Sequence, residues 1–355
     1  AGIVASILYM FAPYRFVDLY VRGAIGEHVA FVFPPLILYF LLKLLKIDHY
    51  YRYTSISSIT IILQRNYWLI IGGALSVAGL ILSHNAISLM FMPFILLYAL
   101  YLQSTSKESF GHLRGVVAMA LLGFGLSAFF WVPAFFEGKY TLRDIVTAGE
   151  YASRFTDFSR FVYSPWNYGG SGQFSLQVGI IHWVIIVLTI PVIYILYKRK
   201  NNLWILALST FVLFWLTIFI MTPLSKIVWD NVSILQKFQF PWRFMSVSVF
   251  LIGVLGGLGI YLVPNKLKTL VVFCFILLVL FFNKDFWHAN GYLQKQESFY
   301  TGIYYGTTDT GESAPIWSVR FMEKRPTKHL EVVSGEAVVN ELSRKSTVHV
   351  YEINA

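Results

Sequence analysis

The feature that most constrains this chain is a series of apolar runs, each long enough to cross a bilayer. A spanning helix needs about 20 predominantly apolar residues, with roughly 17 to 25 tolerated. Such runs occupy residues 29–47, 67–83, 86–103, 116–136, 178–197, 203–221, 244–263 and 269–283. Residues 1–12 form a shorter apolar run without an initiator Met or a basic leader, read as the second half of a span that begins upstream. Only 13% of residues are charged and 57% are hydrophobic, against roughly 25% charged in an average soluble domain. A chain this apolar cannot cover its own surface in water. The expected fold is an all-α polytopic membrane protein with about eight full spans plus a partial first one.

The net charge of +10 does not point to nucleic acid, because the charges flank apolar runs instead of forming a phosphate-binding stripe. Loops 43–66, 103–114, 198–202 and 264–268 hold 11 basic and 2 acidic residues. The alternate loops 13–28, 137–176 and 222–243 hold 9 basic and 7 acidic residues. The short, one-sided first set, with Lys198, Arg199 and Lys200 its clearest case, is expected on the cytoplasmic side. The longer loops and the C-terminal tail then lie outside. The single cysteine, Cys274, excludes intrachain disulfides and Cys-based zinc sites.

Charge gathers most densely between Pro13 and His28, in PYRFVDLYVRGAIGEH. At about 100° per residue Arg15, Asp18 and Arg22 share one face of a helix, with Phe16, Val17, Tyr20, Val21 and Ala24 broadly opposite. The stretch is read as a short helix lying along the membrane surface, apolar side in lipid. Its charges either are solvated or form one wall of a site for an anionic, lipid-linked substrate. Ser83-His84-Asn85 marks a minimal outer turn, where helix capping competes with a role in a cavity. The loop 137–177 opens on an aromatic belt and closes with Ser164-Pro165-Trp166 and glycines 169, 170 and 172, without the spacing of a nucleotide loop. Segment 223–242 reads as a second interfacial helix, followed by Trp242-Arg243 at the mouth of the next span.

The spans end near residue 283, so a helical domain 1–283, with outer loops 13–28, 137–177 and 222–243, precedes a tail 284–355. The tail holds 8 basic and 9 acidic residues. Residues 330–339 read as two strands around Ser334-Gly335 and residues 348–353 as a third, the start of an extracytoplasmic β-domain.

Taken together, Ala12-Pro13-Tyr14-Arg15, Asp18 to Ala24 with Glu27, Ser83-His84-Asn85, Phe130-Trp131-Val132-Pro133-Ala134, Ser164-Pro165-Trp166, Ser175 to Gly179 and Phe240-Pro241-Trp242-Arg243-Phe244 resemble one bacterial family. It is the family of multi-spanning membrane proteins termed 6-pyruvoyl-tetrahydropterin synthase-related. That family is in turn similar to C-type (GT-C) membrane glycosyltransferases, which use polyprenyl-phosphate sugars and an outer-loop carboxylate. The resemblance implies a protein of the bacterial cytoplasmic membrane with a GT-C-like fold, a lipid-linked sugar donor and an envelope glycan acceptor. No pterin, nucleotide or zinc motif is present, and a divalent metal stays open.

Transfer from a lipid phosphate needs cations for the phosphate and a carboxylate as base toward an acceptor hydroxyl. Arg15, Arg22 and Arg243 are the candidate cations, Asp18 or Glu27 the base, with His84 assisting and Asn85 and Trp166 as further substrate contacts. A lipid-linked glycan transporter is the weaker reading, because the spans hold almost no ionisable residues away from their ends. A non-catalytic envelope assembly protein is the other alternative.

The charge bias makes a topology prediction. In a Cys274→Ala background, cysteines at Ser164, Asn231 and Ser334 react with a membrane-impermeant thiol reagent added to intact cells, and a cysteine at Asn201 does not. The reverse pattern would invert the orientation.

Overall fold

The computed structural model describes residues 1–46, 59–105, 113–167, 174–287, 294–301, 311–312, 314–318, 329–345 and 348–355. The chain forms two compact units: Ala1–Lys139 with Thr147–Tyr292, and Tyr140–Val146 with Leu293–Ala355. The first unit opens with α1 (Gly2–Met10), α2 (Pro13–Phe16), a π-turn over Val17–Val21, α3 (Ile25–Ala30) and α4 (Phe33–Lys46). It continues through α5 (Ile59–Ser83), α6 (Asn85–Thr105), α7 (Leu113–Leu126) and α8 (Ala128–Phe136). The next helix, α9 (Arg143–Val146), belongs to the second unit. The first unit then resumes with α10 (Phe158–Val162), α11 (Ile180–Lys198), α12 (Leu203–Met221), α13 (Lys226–Asn231), α14 (Ser233–Gln236), α15 (Met245–Leu262) and α16 (Asn265–Asn283).

Among the described residues six helical stretches are long and apolar enough to cross a membrane: Ile25–Leu45, Asn85–Thr105, Ile180–Lys198, Leu203–Met221, Pro241–Leu262 and Asn265–Asn283. The protein is therefore an all-α polytopic membrane protein. Two further pairs of helices pass the same test together but are bent, α1 with Pro13–Val21 by 45° and α7 with α8 by 68°. The continuous span expected at 116–136 is thus broken, and the run at 67–83 forms the latter part of α5.

Each break has a local cause. Pro13 has no N–H to continue α1, so carbonyls at its end lose their helical partners. Two buried side chains take them over: His182 Nε2 donates to Leu8 O at 2.9 Å and Asn283 Nδ2 to Phe11 O at 2.8 Å. At the α7–α8 break the Ser127 hydroxyl donates back to Gly123 O and Phe124 O, a bonding pattern that bends helices. The Trp131 indole also donates to Phe124 O, at 2.9 Å. Freed carbonyls in a membrane must be paired within the protein, and here side chains pair them.

The core centres on α15, which packs against α1, α11 and α12. By contrast only Val279 and Asn283 of α16 are buried. α5 and α7 approach so closely that a Cβ at Gly123 would stand 2.7 Å from Val77 Cβ and 2.9 Å from Ala74 O. Small residues at such crossings let membrane helices pack backbone to backbone. The interfacial helix expected over 223–242 is two short ones, α13 and α14, parted at Val232, whose backbone is extended. Trp229 anchors this segment, fully buried against Tyr151 and Phe155 with its indole donating to Ile220 O.

In the second unit, α17 (Glu297–Thr301) precedes an antiparallel hairpin of β1 (Val338–Arg344) and β2 (His349–Asn354). The strand expected at 348–353 is formed. The pairing expected around Ser334-Gly335 is not: residues 331–337 carry no strand, and Val338 and Val339 pair with Asn354 and Ile353 instead. β2 gives β1 six paired positions, more than the four residues 330–333 could supply.

Candidate functional site

The opening stretch does not form the single surface helix its pattern predicts. After α2 the chain widens into the π-turn, with Arg22 N bonding back to Val17 O. It ends at Gly23, whose φ of 60° lies in the left-handed region open to glycine, with Ala24 N donating to Asp18 O at 2.8 Å. α3 then starts in a new direction. The charged face turns into the protein: Asp18 is 0% and Glu27 1% exposed. π-turns recur at functional sites because they re-aim side chains that an α-helix would space evenly.

Arg22 lies between the two carboxylates. Its Nη1 donates to Asp18 Oδ1 and to Glu27 Oε2, both at 2.6 Å, and its Nη2 to Glu27 Oε1 at 2.8 Å. The same Nη1 reaches the Tyr14 hydroxyl at 3.2 Å. Burial disfavours the Arg22 cation, yet Tyr14 and the bonded Glu27 and Asp18 carboxylates outweigh it and hold its pKa above the usual guanidinium value. From the far end of the unit, 216 residues along the chain, Arg243 Nε donates to Glu27 Oε1 at 2.8 Å. Its Nη1 donates to Phe238 O, and its guanidinium lies over the Phe240 ring at 4.8 Å. Gln239, between those two residues, has a φ of 61°, a conformation uncommon outside glycine. Arg22 and Arg243, each 14% exposed, form the outer edge of this network.

His84 is the third contributor. Its Nδ1 accepts from Ile87 N at 3.2 Å, so it caps α6 while its Nε2 faces Glu27 Oε1 at 3.6 Å, too far for a hydrogen bond. Gly26 makes this approach possible, since a Cβ there would stand 2.7 Å from Ser83 O. Burial is the largest cause lowering the His84 pKa to about 4; the Glu27 carboxylate opposes it, and the cations Arg243 and Arg22 add smaller downward pulls.

The expected residues thus separate. Asp18, Arg22, Glu27, Arg243 and His84 come together. Arg15 stands in a second group: its guanidinium lies over the Phe31 and Tyr9 rings at 4.7 and 5.4 Å, and its Nη2 is 3.3 Å from His28 Nε2. Asn85 is exposed and its Oδ1 accepts from Ala86 N. Trp166 packs on Phe286, whose neighbour Trp287 covers Phe11 and Phe16. The glycines 169, 170 and 172 lie outside the described residues. Tyr14 and His28 belong to the site although the pattern did not single them out. For Tyr14 the signal was its spacing of four residues from Asp18.

The unpaired atoms matter most. Asp18 Oδ2, Arg15 Nε and His28 Nδ1 are all buried without a hydrogen-bond partner. Glu27, by contrast, has both oxygens engaged. Among the described residues no three of His, Cys, Asp and Glu are grouped so as to hold a metal ion. The chain matches no family model, no curated protein and no solved structure.

His84 gives the site a pH signature. Its folded pKa of about 4 lies below the ordinary 6.5, so the unfolded chain binds the extra proton first as pH falls. Stability is full above 6.5 and is lost progressively as pH drops toward 4. Thermal unfolding in detergent across this window should show a weaker acid dependence for His84→Gln than for the wild type. Identical slopes would exclude His84 as the group responsible.

Proposed function

We propose that this protein is a GT-C-like glycosyltransferase of the bacterial cytoplasmic membrane, moving a sugar from a polyprenyl-phosphate donor to an envelope glycan on the extracytoplasmic face. The observation that carries this reading is Asp18, a buried carboxylate with Oδ1 fixed by Arg22 and Oδ2 free. Such a carboxylate is suited to take the proton of an acceptor hydroxyl while that oxygen bonds to the anomeric carbon. The bond from the anomeric carbon to the phosphate oxygen breaks, and the polyprenyl phosphate leaves with the electron pair. Arg15, with no carboxylate partner among the described residues and a free Nε, suits that phosphate better than Arg22 and Arg243, which Glu27 already engages. Glu27 acts in this scheme by positioning the two arginines. The outward orientation rests on the 11 basic and 2 acidic residues of the opposite loops.

A second reading draws on that same engagement of Arg22 and Arg243 by Glu27. Two cations facing two carboxylates make a neutral brace, which suits a non-catalytic envelope assembly protein.

Donor binding and turnover in nanodiscs separate the two. Arg15→Ala is expected to weaken binding of a polyprenyl-phosphate sugar by about ten- to a hundredfold, the worth of a charged hydrogen bond. Asp18→Asn is expected to leave binding unchanged and to lower turnover roughly a hundredfold or more, the loss of a general base. Unchanged binding in Arg15→Ala together with unchanged turnover in Asp18→Asn would leave the brace as the account of the cluster.

A further inference from the structure

A cavity of about 850 Å³ lies between α4, α6, α12 and α15, away from the charged network. Its size falls within the roughly 300–1,000 Å³ of small-molecule sites, but its lining is almost wholly apolar. On α6 the lining runs from Phe91 to Ser104, about 20 Å along the helix axis at 1.5 Å per residue. That is about two-thirds of the roughly 30 Å hydrocarbon core of a bilayer. The cavity is long, so it suits a chain better than a compact ligand.

Its two ends differ. Toward the charged network it is closed by Pro34, Phe91 and Ile95, all buried. Along its flank Leu97, Leu100, Ile205, Leu208 and Val212 line it and are exposed, and at the other end Ser104 is exposed as well. A chain can therefore enter from the side, with its headgroup at the end where Tyr101, Ser104 and Trp204 bring polar groups to the lining. Water does not fill an apolar cavity of this kind, and in a membrane the material facing the opening is lipid.

The chemistry at the open end selects the headgroup. Trp204 meets Tyr197 edge-on at 5.4 Å, and Tyr197 leads directly into Lys198, Arg199 and Lys200. These three cations are exposed, and none of them forms an ion pair with a carboxylate among the described residues. α11 closes on a Schellman pattern, with Lys200 N bonding Tyr197 O and Asn201 N bonding Leu196 O. Lys200 holds the left-handed position of that motif, with a φ of 51°, where glycine is the usual residue. A cation is thus kept at a site whose backbone favours a residue without a side chain.

We propose that this cavity binds an anionic phospholipid, its chain between the four helices and its phosphate at Lys198, Arg199 and Lys200. The site opens at the opposite end of the bundle from Asp18 and does not rest on the transferase reading.

The protein purified in mild detergent from membranes containing phosphatidylglycerol, with its retained lipid identified by native mass spectrometry, tests this. The wild type should hold phosphatidylglycerol in preference to phosphatidylcholine. Leu213→Trp, which fills the cavity, should lose the lipid while circular dichroism reports unchanged helix content. The combined change Lys198→Gln, Arg199→Gln and Lys200→Gln, at the exposed end of α11, should lower the preference for the anionic lipid by about tenfold or more. It tests the headgroup site even if the tryptophan variant fails to fold. Equal retention by a folded Leu213→Trp, no headgroup preference in the wild type, an unaltered preference in the loop variant, or polyprenyl phosphate as the retained lipid would each overturn the inference.

Discussion

The structure depends on burying four charges where three segments of the chain meet. Two carboxylates removed from solvent are expensive unless their charge is met by well-aligned donors. Arg22 and Arg243 supply those donors, and Glu27 receives both. The network therefore fixes α3 against the start of α15, the helix around which the bundle is packed. It also explains why the opening stretch folds inward. An amphipathic helix on the bilayer surface would leave Asp18 and Arg22 in water, and here the π-turn and Gly23 swing them into the protein.

Part of this was legible in the sequence. The spacing of Asp18 and Arg22 pairs them on any helical turn, and the apolar runs located the six continuous spanning helices. Arg15 was misplaced for a specific reason: an i→i+5 turn carries one residue more than the α-helical repeat. A wheel drawn at 100° per residue therefore joins Arg15 to a face it does not share. The partnership of Glu27 with Arg243 crosses 216 residues, and no local pattern encodes it. His84 reaches Glu27 only because Gly26 has no side chain to hold α3 away from Ser83. In the tail, alternation marked β2 correctly, but Val338 and Val339 were drawn into the wrong hairpin because pairing partners are not a local property.

The broken helices carry the same lesson about membranes. Each break releases carbonyls that need partners within the protein, and side chains supply them: the buried His182, Asn283 and Ser127, and the lipid-facing Trp131. His182 and Asn283, near helix ends, make the bend before Pro13 affordable. That bend in turn sets where Tyr14, Arg15 and Asp18 lie. Polar residues in the spans pair freed carbonyls at these positions, whereas in the opening stretch Asp18, Arg15 and His28 each keep one buried polar atom without a partner.

The most direct test of this account is a double-mutant cycle on Glu27 and Arg243, read by reversible unfolding in mixed micelles. Glu27→Gln alone should cost about 3–5 kcal/mol, since it leaves buried cations without their partner. The cycle with Arg243→Gln should return a coupling of about 1–3 kcal/mol, as expected for residues in one buried network. Additive losses with no coupling would mean that Glu27 and Arg243 do not hold α3 to α15, and the central interaction described above would be wrong.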